Sequence, residues 1–327
     1  MKKQVLIEKK YTALLALDHD EVVGRILYTI AESKHEKKSI GYYSFFDVIE
    51  NQEVAKALLD AMEMDLREQG IDYVEGTFSP YDPDTRRGIL VQGFDRPHSF
   101  LTSYNYSYYG PFLEEHGYQK AFDTVTVEVE KTESNIPKLQ LLERYFTSRH
   151  QDIRVDSINL KNIEKEIEDV HHVFSQATNE IIYQDAPSIE MIADVAKNMK
   201  MFLQPDLIKI AREVSTGEPV GFCLVIPDFN QVLQKTKGKI LSIHMLRSKK
   251  IITRARGMLQ YVVPKYQNTG LIAYIFKKIY DHFDELGITE FEAGTMMEEN
   301  IKAMATFFKL DGKITKVYRL YGKEIST

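Results

Sequence analysis

Apolar and polar positions along the chain fall into two series of elements that come in the same order. In the second half, Leu259 to Val263 is an apolar run stopped by Pro264, the pattern of a strand ended by a residue that cannot continue it. Leu271, Ile275, Ile279, Phe283 and Leu286 then recur at helical spacing and predict one helix that ends at Gly287. Ile288 to Ala293 predicts the next strand, Asn300 to Leu310 a short helix, and Lys316 to Ile325 a closing strand. In the first half the same order is carried by Gly41 to Ile49, Glu53 to Gln69, Ile71 to Phe78, Pro111 to His116 and Phe122 to Glu130. The span from Lys131 to Gln151 is polar with an amphipathic helix inside it. A boundary near Lys131 therefore divides the chain into residues 1–131 and 132–327.

Matched residues indicate that the two series are copies. Glu21-Val22-Val23-Gly24-Arg25-Ile26-Leu27 matches Glu218-Pro219-Val220-Gly221-Phe222-Cys223-Leu224 at Glu, Val, Gly and Leu. Glu68, Gly70, Ile71 and Glu75 match Glu285, Gly287, Ile288 and Glu292, and Phe112 and Gly117 match Phe307 and Gly312. The second copy is longer within 228–256. The first is longer between Gly76 and Phe112, in a stretch rich in Pro, Tyr and Asn.

A chain of 327 residues is long for one domain and sufficient for two cores. A net charge of −6, with basic residues dispersed, argues against nucleic acid or an anionic membrane as the main partner. The single cysteine, Cys223, excludes an internal disulfide and reads as a small buried apolar residue. The opening Met1 to Glu8 lacks the apolar core of a signal peptide, and no apolar run approaches the roughly 20 residues of a membrane span. A cytoplasmic protein is expected. The histidines lack partners at metal-ligand spacing, so no metal is expected.

The most informative stretch is Val262-Val263-Pro264-Lys265-Tyr266-Gln267-Asn268-Thr269-Gly270-Leu271-Ile272. A strand halted by proline crosses a short polar loop into a helix, whose first N–H groups have no intrahelical acceptor and form an anion site. Glycine lets phosphate oxygens approach the backbone, and no acidic residue follows until after Tyr280. The corresponding first-half loop, Ile49-Glu50-Asn51-Gln52-Glu53-Val54, has no glycine and carries two carboxylates.

The second-half loop resembles the acyl-CoA loop of the GNAT N-acyltransferases, Gln/Arg-x-x-Gly-x-Gly/Ala after a Val-x-Pro strand end. Gln267 and Gly270 fit it, and Ile272 departs at the last small position. Val220-Gly221-Phe222 with Ile226-Pro227-Asp228-Phe229-Asn230, Gly41 to Phe46, and Val91 to Pro97 also resemble an uncharacterised two-domain GNAT family. The resemblance implies an α/β (mixed α+β) fold, two tandem GNAT-like domains, each a mixed twisted sheet flanked by helices. Central strands would splay to admit a pantetheine arm. It implies acetyl-CoA or another acyl-CoA held by Val262, Val263, Gln267, Asn268, Thr269, Gly270, Leu271, Ile272 and Asn300, and transfer to an amine of a small molecule or peptide.

Such a transfer needs a base for the ammonium, a donor for the oxyanion and an acid for the thiolate. Glu292, on the strand beside the expected cleft, is the candidate base. Tyr318 is the candidate acid, because Phe307 stands where the family has its tyrosine. Tyr104, Asn105, Tyr108 and Tyr109 offer rigid amphipathic surface for the acceptor or for the domain interface. The rival reading is a catalytically silent acyl-CoA-binding or interaction protein on two degenerate domains, with Phe307, Ile272 and the anionic first-half loop in its favour. The first half is expected to shape the acceptor pocket and to hold no coenzyme.

Overall fold

The computed structural model describes residues 10–33, 36–80, 87–178, 186–238 and 251–325. The first half runs β1 (Thr12–Asp18), β2 (Glu21–Ser33), β3 (Lys38–Val48), α1 (Gln52–Glu68), β4 (Tyr73–Gly76), β5 (Ile89–Gln92), α2 (Tyr109–Glu115) and β6 (Gln119–Glu130). Next come α3 (Asn135–Thr147), β7 (Ile153–Ser157), α4 (Ile163–Ala177), α5 (Ile189–Met199), β8 (Ile208–Glu213), β9 (Pro219–Pro227) and α6 (Asn230–Lys235). The chain closes with β10 (Arg254–Val262), α7 (Leu271–Tyr280), α8 (Phe283–Leu286), β11 (Glu290–Met297), α9 (Ile301–Phe308) and β12 (Lys313–Glu324). Part of the stretch expected to lengthen the second copy, 239–250, lies outside the described residues.

Local chemistry accounts for most of these bounds. Asn51 caps α1 by accepting from the Glu53 N–H, and Ala55, Leu58, Leu59, Met62 and Leu66 then form the buried face at helical spacing. The helix expected to run from Leu271 to Gly287 breaks after Tyr280, yet Ile275, Ile279 and Phe283 all still reach the core. Gly287, with φ 72, ends α8 in the left-handed conformation.

Among the described residues all strands join one sheet in the order β1-β2-β3-β4-β12-β6-β11-β10-β9-β8-β7, with β5 also paired to β12. Among the described residues two neighbouring pairs are parallel, β3 with β4 and β10 with β11, and they occupy equivalent places in the two copies. The closing strands are exchanged. β6, made by the first half, pairs with β11, and its Val125, Val127 and Val129 enter the second core. β12, made by the second half, pairs with β4 and β5, and Tyr321 and the following Ile325 enter the first core. β6 and β12 also pair with each other, so one unbroken ladder crosses the middle of the molecule. The point near Lys131 lies between β6 and α3, and packing crosses it in both directions.

Candidate active site

The ladder between β10 and β11 is short. Arg254 to Gly257 pair with Glu290 to Ala293, and beyond them the strands part. From Leu259 to Val262, β10 pairs with β9 on its other side, while Met296 and Met297 of β11 pair with β6. Two slips in register accompany the split, at Met258 against β9 and at Gly294–Thr295 against β6. Gly294 has φ 130, and a Cβ there would lie 2.7 Å from the Val125 carbonyl oxygen, so the bend requires glycine. The result is a V-shaped cleft of about 120 Å³. Its walls are Gly257, Gln260 and Tyr261 of β10, Thr295 and Met297 of β11, and Asn300 and Ala303 at the start of α9. The β10 edge facing the cleft is a template for an extended ligand, as at any strand left without a neighbour.

At the open end, β10 passes through a single 3-10 turn at Pro264–Tyr266 into α7. Asn268 (φ 61) and Gly270 (φ 97) are both left-handed, and the helix starts directly after Gly270. Among the described residues, no acceptor takes the N–H groups of Gly270, Leu271, Ile272 and Ala273; the first bond of this helix is Tyr274 N–H to the Gly270 carbonyl. A Cβ on Gly270 would meet nothing closer than the Tyr145 ring, at 3.8 Å. That cradle fits a diphosphate. Glu213 of β8 stands beside the loop, a carboxylate invisible to a local reading. Lys265 pairs with it at 2.7 Å and the Tyr266 hydroxyl donates to it at 2.8 Å. The Lys265 ammonium, then the Tyr266 hydroxyl, hold its carboxyl below the usual range, so its charge is already matched. Arg149 lies 4.0 Å over the Tyr145 ring and brings a guanidinium to the same end.

The residues expected to hold a coenzyme therefore sit together. Val262 and Val263 end β10, Gln267 to Gly270 form the turn, and Leu271 (buried) and Ile272 (half-buried) open α7. The Thr269 hydroxyl donates to the Tyr266 carbonyl and stiffens the turn. Asn300 stands on the cleft wall and caps α9 by accepting from the Ala303 N–H.

The candidate catalytic groups lie elsewhere, and this corrects the expectation for both. Glu292 is fully buried, pairs with Lys316 of β12, and does not line the cleft. Alternation along β11 turns Phe291 and Ala293 to one face of the sheet and Glu292 to the other. That face is roofed by the first half's insert, where the Phe100 carbonyl accepts from Arg256 and the Phe100 N–H donates to Asp228. Tyr318 is buried under the same insert, and burial pushes its hydroxyl well up, away from ready proton donation. Phe307 packs its ring on Phe276 (5.4 Å) and Phe291 (5.6 Å) in the core, so this position does not face the cleft.

The Tyr-rich insert builds the first half. Asn105 accepts from the Leu90 N–H at 2.7 Å and donates to the Leu90 carbonyl at 3.2 Å, acting as an added strand residue beside β5. Tyr108 donates to the Val48 carbonyl and Tyr109 accepts from the Val48 N–H, at the end of β3 that corresponds to the Val262 end of β10. Tyr104 is exposed, with its ring 4.8 Å from His98. In the first-half loop the Asn51 side chain accepts from the Glu53 N–H.

Local reading missed Arg87, Arg256, Gln260, Tyr261 and Thr295, all of which line the cleft. For Gln260 and Tyr261 a signal existed, since they belong to the strand that runs into Pro264. For Arg87, which the insert brings in from the other half, there was none. Cys223 borders the same cleft, and burial pushes its thiol up to about 12. Among the described residues no cluster could hold a metal ion, and no helix is long and apolar enough to cross a membrane.

No protein-family model matches the chain. It is 23% identical over 327 residues to Protein YghO of Escherichia coli (strain K12), covering 96% of this chain and 82% of that protein. It is 25% identical over 317 residues to the bacterial ceramide synthase of Caulobacter vibrioides (strain NA1000 / CB15N), covering 93% and 81%. Among solved structures, it superposes at a TM-score of 0.56 and 14% identity on a GCN5-related glucosamine N-acetyltransferase region in a fungal multi-domain GH3 beta-N-acetylglucosaminidase, covering 96% of this chain and 33% of that one. It superposes at 0.55 and 9% identity on a tandem GNAT protein from the clavulanic acid biosynthesis pathway, covering 97% and 83%. The fold is the tandem GNAT fold.

Proposed function

We propose that this tandem GNAT-fold protein is an acyl-CoA-dependent N-acyltransferase, with its coenzyme bound by the second half. One observation carries the reading: a V between two parallel strands leads to a helix start whose Gly270 to Ala273 N–H groups are open to an anion. The name of the Caulobacter relative, a ceramide synthase, is in keeping with N-acylation. A bound acyl-CoA would supply an activated thioester. The amides of Gly270 to Ala273 would hold its diphosphate, the free edge of β10 its pantetheine arm, and Arg149 the adjoining negative charge. The backbone at the Gly257–Met258 irregularity is where an N–H would steady the oxyanion.

The cleft walls carry Arg87, Arg256, Gln260, Tyr261, Thr295 and Asn300 as their polar groups, with no carboxylate among the described residues. The acceptor amine therefore gives up its proton to water, and Tyr261 is the wall hydroxyl for the departing thiolate. In the first half, Tyr108 and Tyr109 take the backbone groups at the end of β3, which supports one coenzyme per chain. The silent-protein reading keeps Phe307 in its favour, but that ring serves the core, and its chemistry says nothing about the cleft.

Calorimetric titration with CoA and acetyl-CoA tests the coenzyme claim, with one site per chain as the expected stoichiometry. Gly270→Glu puts a carboxylate into the cradle and is expected to weaken binding at least tenfold. Unchanged affinity would mean that the loop is wrong. Two equivalent sites would mean that the first half binds as well. Thiol release across a panel of amines separates transfer from silent binding.

A further inference from the structure

We propose that an apolar chamber beside the cleft receives the long hydrocarbon chain of one reactant, so that the transfer is lipid chemistry and not acetylation of a small polar amine. This rests on the acyl-transfer reading above.

The chamber measures about 420 Å³, within the roughly 300–1,000 Å³ usual for small-molecule sites. Its floor is Phe222 and Leu224 of β9 and Leu259 of β10, and its roof includes Val170 of α4 and Ile192 and Met199 of α5. It lies on the sheet face opposite α7: alternation along β9 turns Gly221 to α7 and Phe222 and Leu224 away from it. Leu259 belongs to the walls of both the chamber and the cleft. A chain joined to the reacting centre at the apex passes from one to the other around a single side chain.

The lining selects the ligand. Its buried carboxylate, Glu166, is held by Arg212 at 2.7 Å, and the other, Glu32, is exposed on β2. A sugar, nucleotide or peptide bond lodged here would lose water without gaining partners, whereas methylenes lose nothing. The roof is also under-packed. Helix α5 has no buried residue, although its Met191, Ile192 and Val195 are apolar and line the chamber, with Val195 54% exposed. Protein interiors are close-packed, so a helix that overhangs such a space with an apolar face is built for a partner that fills it. Either the acyl group of the donor or the tail of a lipid amine has this chemistry.

Calorimetry with CoA and its acetyl, octanoyl and palmitoyl thioesters, and separately with butyl-, octyl- and dodecylamine, names the source. Titrations run below the micelle threshold, in the full chain and in Ala196→Phe, which fills the chamber from α5. Binding is expected to tighten about two- to fourfold per methylene in one series. Ala196→Phe should flatten that series while binding CoA as the parent does, which also shows that it has folded. Should it fail to bind CoA, Val170→Phe fills the same space from α4. A slope in the thioesters assigns the acyl chain, and a slope in the amines assigns the acceptor tail. Flat series with intact CoA binding would overturn the chamber and leave the acyl-transfer reading standing. A slope that survives both filling variants would also overturn it. Failure of every CoA ligand would sink the coenzyme reading, and the amine series alone would then decide the chamber.

Discussion

Removing one member of the Glu292–Lys316 pair should be far worse than removing both. The side chains are 0% and 1% exposed, so neither charge is screened by water. Glu292→Gln leaves the Lys316 ammonium uncompensated in the sheet interior, at a cost of about 3–5 kcal/mol, and Lys316→Met strands the carboxylate at a similar cost. Among the described residues one oxygen of Glu292, Oε1, has no hydrogen-bond partner, so even the intact pair is incompletely compensated. The double variant Glu292→Leu/Lys316→Met should therefore lie within about 2 kcal/mol of the parent. Urea unfolding of the four proteins closes the cycle, and the expected coupling is about 3 kcal/mol or more. The same set separates an ion pair from a general base. If Glu292 only holds the sheet, the folded double variant keeps its kcat/KM and the pH profile of the parent. A single variant as stable as the parent would refute the electrostatic reasoning. A folded double variant slowed on the order of 10²-fold or more would return Glu292 to the role of base.

Glu75, the counterpart of Glu292, is buried with no lysine paired to it among the described residues, and burial, followed by repulsion from Glu36, raises its carboxyl from the ordinary 4.5 to about 7. Its folded form keeps a proton that the unfolded chain has released, so its contribution is fully present below 4.5 and is lost as pH rises through 7. The loss is about 3 kcal/mol; in Glu75→Gln the stability between pH 4.5 and 8 should flatten, and an unchanged pH dependence would contradict this. Tyr109→Phe orphans the buried Val48 N–H and should cost about 1–3 kcal/mol in urea unfolding without altering CoA affinity; lost affinity would give the insert a direct role in binding. Residues 1–131 and 132–327 expressed apart should fail to unfold cooperatively but should co-purify when co-expressed. Stable separate halves would contradict the exchanged strands.

The elements were legible because their limits are local. Pro264, Gly270 and Gly287 mark chain breaks in any context, and the face Leu271–Ile275–Ile279–Phe283 lies against the core despite the break after Tyr280. The turn proposed to hold the coenzyme was legible as a turn for the same reason, since one strand, one 3-10 turn and one helix start make it. The partners of a closing strand were not. Val125, Val127 and Val129 give β6 an apolar face that would suit either core, and only the assembled sheet decides which one it fills. The same limit hid the roles of Glu292 and Arg87. Glu292 needed Lys316 from β12, and Arg87 needed the insert to cross from the first half to the second cleft.

Strand exchange also fixes the order in which the molecule can be finished during synthesis. When β6 has been made, the first half still lacks Tyr321 and Ile325, and its β4 edge waits for β12. The nascent chain must carry an open core and an unpaired edge until translation reaches β12, so chaperone dependence should concentrate in that interval. Inheritance is constrained in the same way. Deleting the first half would also remove β6 from the sheet and core of the second, so the first half is retained as the scaffold of its neighbour.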